Sequence, residues 1–296
     1  MKQISVFLTA VLLALGPAQA RQLDLTKPED VIAAEIKLGC AADPQKPRMS
    51  WMSGKILGRR QGEADRHLVD VQGLNTRACQ IVTDPKRGPG YRSVTREIMF
   101  YLDPTTSKIL ETWNNPYTGE TVDVIHMFND PVNMPEPKHA YGKDGKPVTW
   151  PGRIVNGLAV TSNANSFFRD GPMSGDFQDY VGGKYAVVEV STMMIPAADW
   201  LNTETPGPVR GASAWTRVSP WLPWMKMAGR EGQTVLAATW FTAATLDEAP
   251  EPLKSEVRAK YPTFATAPPL DDTRPSVTSW LAAKKAIDQH RSAAKK

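Results

Sequence analysis

The residues best placed to do chemistry are a small polar set at the end of one apolar run: His126, Asn129, Asp130 and Asn133. In Thr121–Phe128, alternation puts Val122, Val124, His126 and Phe128 on one face. An imidazole there would line the interior of a curled sheet, with a proton that moves near neutral pH. Asp130, in the loop just beyond, can orient one tautomer of that ring, so His126 and Asp130 are the catalytic, acid–base candidates. The same residues also read as structure: a core histidine bonded to backbone, with Asp130 and Asn133 making turn bonds around Pro131. Both readings stay open. No metal is expected, because His126, Asp130 and His139 do not fall at a ligand spacing that metal sites use, and no cofactor is implied. H-E-x-x-H, G-x-S-x-G, the P-loop and C-x-x-C do not occur.

A second candidate is aromatic. Trp215, Trp221 and Trp224, with Met225 and Met227, lie close together, and Trp113 and Tyr117 add to the set. Tryptophan and methionine surfaces suit flat or greasy ligands, and they equally suit a packed plug. Arg217 alternates onto the Trp215 face, where a guanidinium binds a carboxylate or stacks on a ring. Arg96 interrupts an apolar strand face and raises the same question; Tyr101 lies on the other face of that strand. The ligand-binding candidates are therefore Arg96, Tyr101, Trp113, Tyr117, Asn129, Trp215, Arg217, Trp221 and Trp224, and the partner they suit is a small apolar or aromatic molecule.

The elements that must position these residues are mostly strands. Thr26–Glu29 opens a first helix, with Thr26 as cap and Glu29 completing a capping box. From Met49 the pattern changes to strands over Trp51–Arg59, Ala64–Val71, Thr76–Thr83 and the run through Leu102, followed by a meander across Lys108–Trp113 and Thr121–Phe128. Residues 131–183 are poor in regular pattern and read as a long loop. Strands resume at Tyr185–Ile195, Ser213–Val218 and Thr234–Thr242; Leu253–Tyr261 is a short helix, and a last amphipathic helix is expected over 276–290. Without β-α-β alternation the sheet is antiparallel. The fold class is mainly β with peripheral helices: a curled antiparallel sheet or a calycin- or lipocalin-like barrel, with a two-sheet β-sandwich as the alternative.

The chain ends and bulk composition bound the setting. Lys2, the apolar run Ile4–Leu15 and Ala18-Gln19-Ala20 read as a signal peptide over 1–20. Residues 21–296 then form one mainly-β domain working in the periplasm or outside the cell. The apolar run is shorter than a span of about 20 residues, and no later stretch is long and apolar enough. A formal net charge of +4, with much of the excess in the tail, gives no basic stripe for nucleic acid. The two cysteines, Cys40 and Cys79, suit a disulfide in an oxidising compartment; it would close a loop of about 40 residues and contribute about 3–4 kcal/mol. Two buried thiols are the other reading. The oligomeric state is not legible.

Several longer strings carry a resemblance. Tyr101-Leu102-Asp103-Pro104, ETWNNPYTGE (Glu111–Glu120), NDPVN (Asn129–Asn133), SPWLPWM (Ser219–Met225) and PPLDDTRPSVTSW (Pro268–Trp280) resemble an uncharacterised bacterial family, domain of unknown function 1838. The resemblance runs from about Met49 to about Asp288, nearly the whole mature chain. It implies an exported protein and no particular reaction or catalytic residue. The chain departs from the pattern at Ser107, where a turn glycine is more usual, and the cysteines lie outside the shared strings.

Overall fold

The computed structural model describes residues 21–43, 46–171, 183–227 and 229–277, with four further positions in the tail. The expected signal segment and most of the expected C-terminal helix lie outside the described residues. The chain begins with α1 (Pro28–Gly39), whose first turn carries Pro28, Glu29 and Asp30. The expected cap is not made: Lys27 holds that position without a side-chain bond, and the Thr26 hydroxyl turns to Asp24 at 2.6 Å. Asp30 instead receives the Asp24 backbone N–H at 2.9 Å and pairs with Arg21.

The strands are β1 (Arg48–Arg59), β2 (Arg66–Asp84), β3 (Gly88–Leu102), β4 (Thr112–Asn114), β5 (Thr121–Asp123), β6 (Met127–Asn129), β7 (Lys138–His139), β8 (Arg153–Val155), β9 (Leu158–Gly171), β10 (Gly183–Pro196), β11 (Ala212–Ser219) and β12 (Gln233–Ala243). The short helix α2 (Ala197–Leu201) follows β10, and α3 (Leu253–Lys260) follows β12. Ten strands make one antiparallel sheet in the order β6-β3-β2-β1-β12-β11-β10-β9-β8, with β7 beside β3. The expectation of a mainly-β fold on a large antiparallel sheet holds. The sheet is not closed into a barrel, and it does not divide into a sandwich: β6 and β8, three residues each, end the order. Edge strands this short offer little backbone for further pairing.

Three local differences from the sequence reading have physical causes. β2 runs unbroken through Gly73, because β1 and β3 pair with it on both sides. The space a side chain would fill is taken by Met52, whose Cε lies 3.0 Å from where a Cβ would stand. The segment 131–183 is not one loop: it holds β7, β8 and β9, and β9 pairs with β10 from Leu158 to Gly171 despite its small polar residues. Its partner, and not its own propensity, makes it a strand. The meander is also only partial, since β4 and β5 pair with each other in a separate two-stranded hairpin. Ser107, the departure from the family turn, sits at φ +57°, a conformation glycine adopts at no cost.

Opposite faces of the sheet are covered differently. One face carries Leu74, Ile98, Phe100 and Leu102 against Leu253 and Val257 of α3, with Tyr261 and Phe264 beyond. The other carries Ile56, Val69, Val71, Met99 and Tyr101 against Trp113, Trp221, Trp224 and Met225. On that same face, further along the strands, the roof is α1.

Candidate functional site

The register of the strands stacks that second face in rows. Thr242, Ser50, Asn75, Glu97 and Asn129 lie directly opposite one another across β12, β1, β2, β3 and β6. In the next row outward Arg48 faces Arg77, which faces Thr95. Opposed residues of an antiparallel pair share a face at side-chain contact distance. Two guanidinium groups are therefore placed side by side above a row of hydroxyls, amides and one carboxylate.

These residues wall a cleft of about 520 Å³, roofed by Glu35, Leu38 and Gly39 of α1. This size falls within the range of small-molecule sites, about 300–1,000 Å³. Its other wall is apolar and aromatic: Tyr91, Met193 and Trp240. The roof is fixed covalently. Cys40, just after α1, is bonded to Cys79 of β2 at an S–S distance of 2.07 Å, and Cys79 stands on the same strand face as Asn75 and Arg77. Trp200 donates its indole N–H to the Ala34 carbonyl at 2.8 Å, and the Lys37 ammonium bonds the carbonyls of Asp199 and Asn202, so the far side of α1 is held as well.

The electrostatics of the cleft are incompletely balanced. Glu35 accepts from Lys138 at 2.6 Å and from the Tyr91 hydroxyl at 3.2 Å. Glu97 accepts from the amides of Asn75 at 2.8 Å and Asn129 at 3.3 Å. Arg77 donates to the Thr95 hydroxyl at 3.3 Å, and Arg48 to the hydroxyls of Ser50 at 2.8 Å and Thr242 at 3.4 Å. Among the described residues neither arginine forms an ion pair, and Arg48 Nε and Asn75 Oδ1 are buried without a hydrogen-bond partner. Burial, then the adjacent Arg77 charge, pushes Arg48 down to about 9. Burial also lowers Arg77, against the opposing pull of Glu97. A guanidinium keeps its charge at neutral pH, and an incoming anion would relieve this pair. Tyr91 is pushed up to about 12 by burial and then by Glu35, so its proton stays in place.

The sequence-predicted residues fall elsewhere, in two groups. Tyr101, Trp215, Arg217 and Trp224 meet around a smaller cavity of about 60 Å³, with Met99, Met127 and Leu222. Arg217 pairs with Glu189 at 3.2 Å. Burial raises the Tyr101 phenol. Trp113 packs edge-on against Trp224 at 5.5 Å, and Tyr117 against Trp221 at 5.1 Å. These four close the end of the sheet with Asn115, whose side chain donates to the Met225 carbonyl at 2.7 Å.

The second group holds the C-terminal segment. Asp130 pairs with Arg96 at 3.1 Å and with Arg274 at 2.8 Å. Arg96 also donates to the carbonyls of Thr263, Thr266 and Ala267. Asp272 is held down to about 2, chiefly by its bond to Arg274. His126 points elsewhere: its Nδ1 accepts the Tyr101 backbone N–H at 3.2 Å, and its ring lies against Phe100 and Tyr101. Burial is the main cause that pushes it down to about 4, with a backbone bond to Leu110 opposing. The described contacts thus do not pair His126 with Asp130. Asn129 alone of the predicted residues reaches the polar row of the cleft. Among the described residues no group of acidic, histidine or cysteine side chains is placed to hold a metal.

The cleft residues were missed because no one segment carries them. The available signal was polar residues on alternating strand positions, as at Arg48 and Ser50 or Asn75 and Arg77, which become a cluster only when register is known.

Fold and site together define a protein built on one large antiparallel β-sheet, with a basic, half-aromatic cleft under a disulfide-tethered helix. Residues 45–287 match the family model described as protein of unknown function, DUF1838, and the chain belongs to that family. No curated protein matches the chain. Among the described residues no helix is long and apolar enough to cross a membrane.

Proposed function

We propose that the protein binds a small organic anion, a carboxylate with an aromatic or apolar body, in the cleft beneath α1. The observation that carries this reading is the opposed pair Arg48 and Arg77, two half-buried arginines with hydroxyl partners and no ion pair among the described residues. A planar guanidinium matches a carboxylate with two parallel bonds. The Tyr91, Met193 and Trp240 wall supplies the apolar contact for the rest of the molecule. The role is one of an exported protein: the Cys40–Cys79 bond suits an oxidising compartment, and the first twenty residues have the pattern of a cleaved leader.

Native mass spectrometry of the full-length protein purified from its host would show a carried anionic ligand. Calorimetry with benzoate as probe should give saturable binding that weakens about tenfold in Arg48→Met. Benzoate binding that is absent, or equal in wild type and variant, would sink the reading.

A further inference from the structure

The cleft and the aromatic cavity lie on the same face of the sheet, and the register shows what separates them. Between the polar row and the aromatic cavity runs one row of opposed residues that includes Met193, Trp240, Met52, Gly73, Met99 and Met127. Four of these are methionines, the side chain that most readily reshapes around a guest. The row beyond has small residues at its centre, Gly54 opposite Ala238. Gly54 cannot be larger, because a Cβ there would stand 2.3 Å from the Ala237 carbonyl oxygen. The floor between the cavities is therefore low, and its walls are Trp215 and Trp240. Their rings are 6.3 Å apart, and both are half-buried. Met193 and Trp240 line the cleft, while Met99, Met127 and Trp215 line the aromatic cavity.

We infer that the ligand is an elongated amphipathic carboxylate, its head group on Arg48 and Arg77 and its apolar chain laid along this sheet face, across the methionine row, into the aromatic cavity. This rests on the anion-binding reading of the cleft and adds the substrate class. The path from Ser50 to Ile56 along β1 is about 20 Å at the rise of an antiparallel strand, long enough for an alkyl or isoprenoid chain. An extended ligand also accounts for two cavities of unequal size, about 520 Å³ at the polar end and about 60 Å³ at the apolar end.

The test is a chain-length series of butanoate, octanoate, dodecanoate and hexadecanoate against the full-length protein, with benzoate as the short reference. Affinity should rise up to about fourfold for each added methylene until the chain reaches the far cavity, then level off. Leu222→Trp, which fills that cavity from a half-buried loop position, should leave butanoate and benzoate unchanged and remove the advantage of dodecanoate. Should that variant fail to fold, ω-bromododecanoate on the wild type gives a second measurement: its terminal bromine should quench fluorescence that is lost in Trp215→Phe. Benzoate binding that depends on Arg48 with no chain-length dependence overturns the extended ligand and leaves the cleft reading standing. No carboxylate binding at all overturns both.

Discussion

Around Asp130 each charge has found its counterpart: Arg96 and Arg274 take its two oxygens, Asp272 takes Arg274 again, and Arg96 Nη1 donates to the carbonyls of Thr263, Thr266 and Ala267. In the cleft under α1, Arg48 and Arg77 are drawn together by register and meet hydroxyls. Both regions are polar, rich in arginine and partly buried. The first uses its bonding capacity to pin the C-terminal segment to β3 and its neighbours. The second retains unused donors and positive charge that a ligand can meet. Polarity alone therefore does not mark a site; unsatisfied polarity in a cavity does.

That contrast can be broken experimentally. The largest effect is expected from removing the roof tether. Cys40→Ala with Cys79→Ala should lower stability by about 4 kcal/mol, read from urea midpoints, and should also weaken benzoate binding because α1 covers the cleft. Undiminished binding would show that the roof does not form the site.

Acid comes next. His126 is pushed down to about 4 from an ordinary 6.5, so the unfolded chain takes up a proton that the folded chain refuses. Stability from this group is present above 6.5 and is lost as pH falls towards 4, by at most about 3 kcal/mol. His126→Asn keeps an acceptor for the Tyr101 N–H and should lack that component when urea titrations at neutral and acid pH are compared. An unchanged pH slope would mean that the ring is not held neutral by burial.

Asp130→Ala leaves Arg96, whose side chain is only 11% exposed, without its counter-charge and should cost about 2 kcal/mol. Benzoate affinity should stay the same, and a drop would make the matched cluster part of the site. Arg48→Met is the converse case. Affinity should fall about tenfold, which is ~1.4 kcal/mol, while thermal stability holds or rises because a half-buried charge without an ion pair is removed. Loss of stability without loss of affinity would reverse the assignment of the two regions.

Much of the fold was legible in local sequence. The strand segments Trp51–Arg59 and Thr234–Thr242, which the structure extends to Arg48–Arg59 and Gln233–Ala243, and the two ends of β2 follow from runs of strand-forming residues between polar or glycine breaks, and α3 from its apolar spacing before Pro262. The aromatic cavity was also legible in part, since SPWLPWM concentrates its tryptophans in one short segment. The cleft was not. Arg48 and Arg77 stand on different strands, and nothing in either segment says which residue will face the other.

By itself, the sequence determined the mainly-β class, the family, the cysteine pair suited to a disulfide and the polar cluster around Asp130. Each of these depends on residues close in the chain or on composition. Only the tertiary structure decided that the sheet stays open, that Asp130 turns to arginines and His126 to the Tyr101 backbone, and that Arg48 meets Arg77 beneath α1. Those outcomes depend on strand register, in which a shift of one residue would send every side chain to the opposite face.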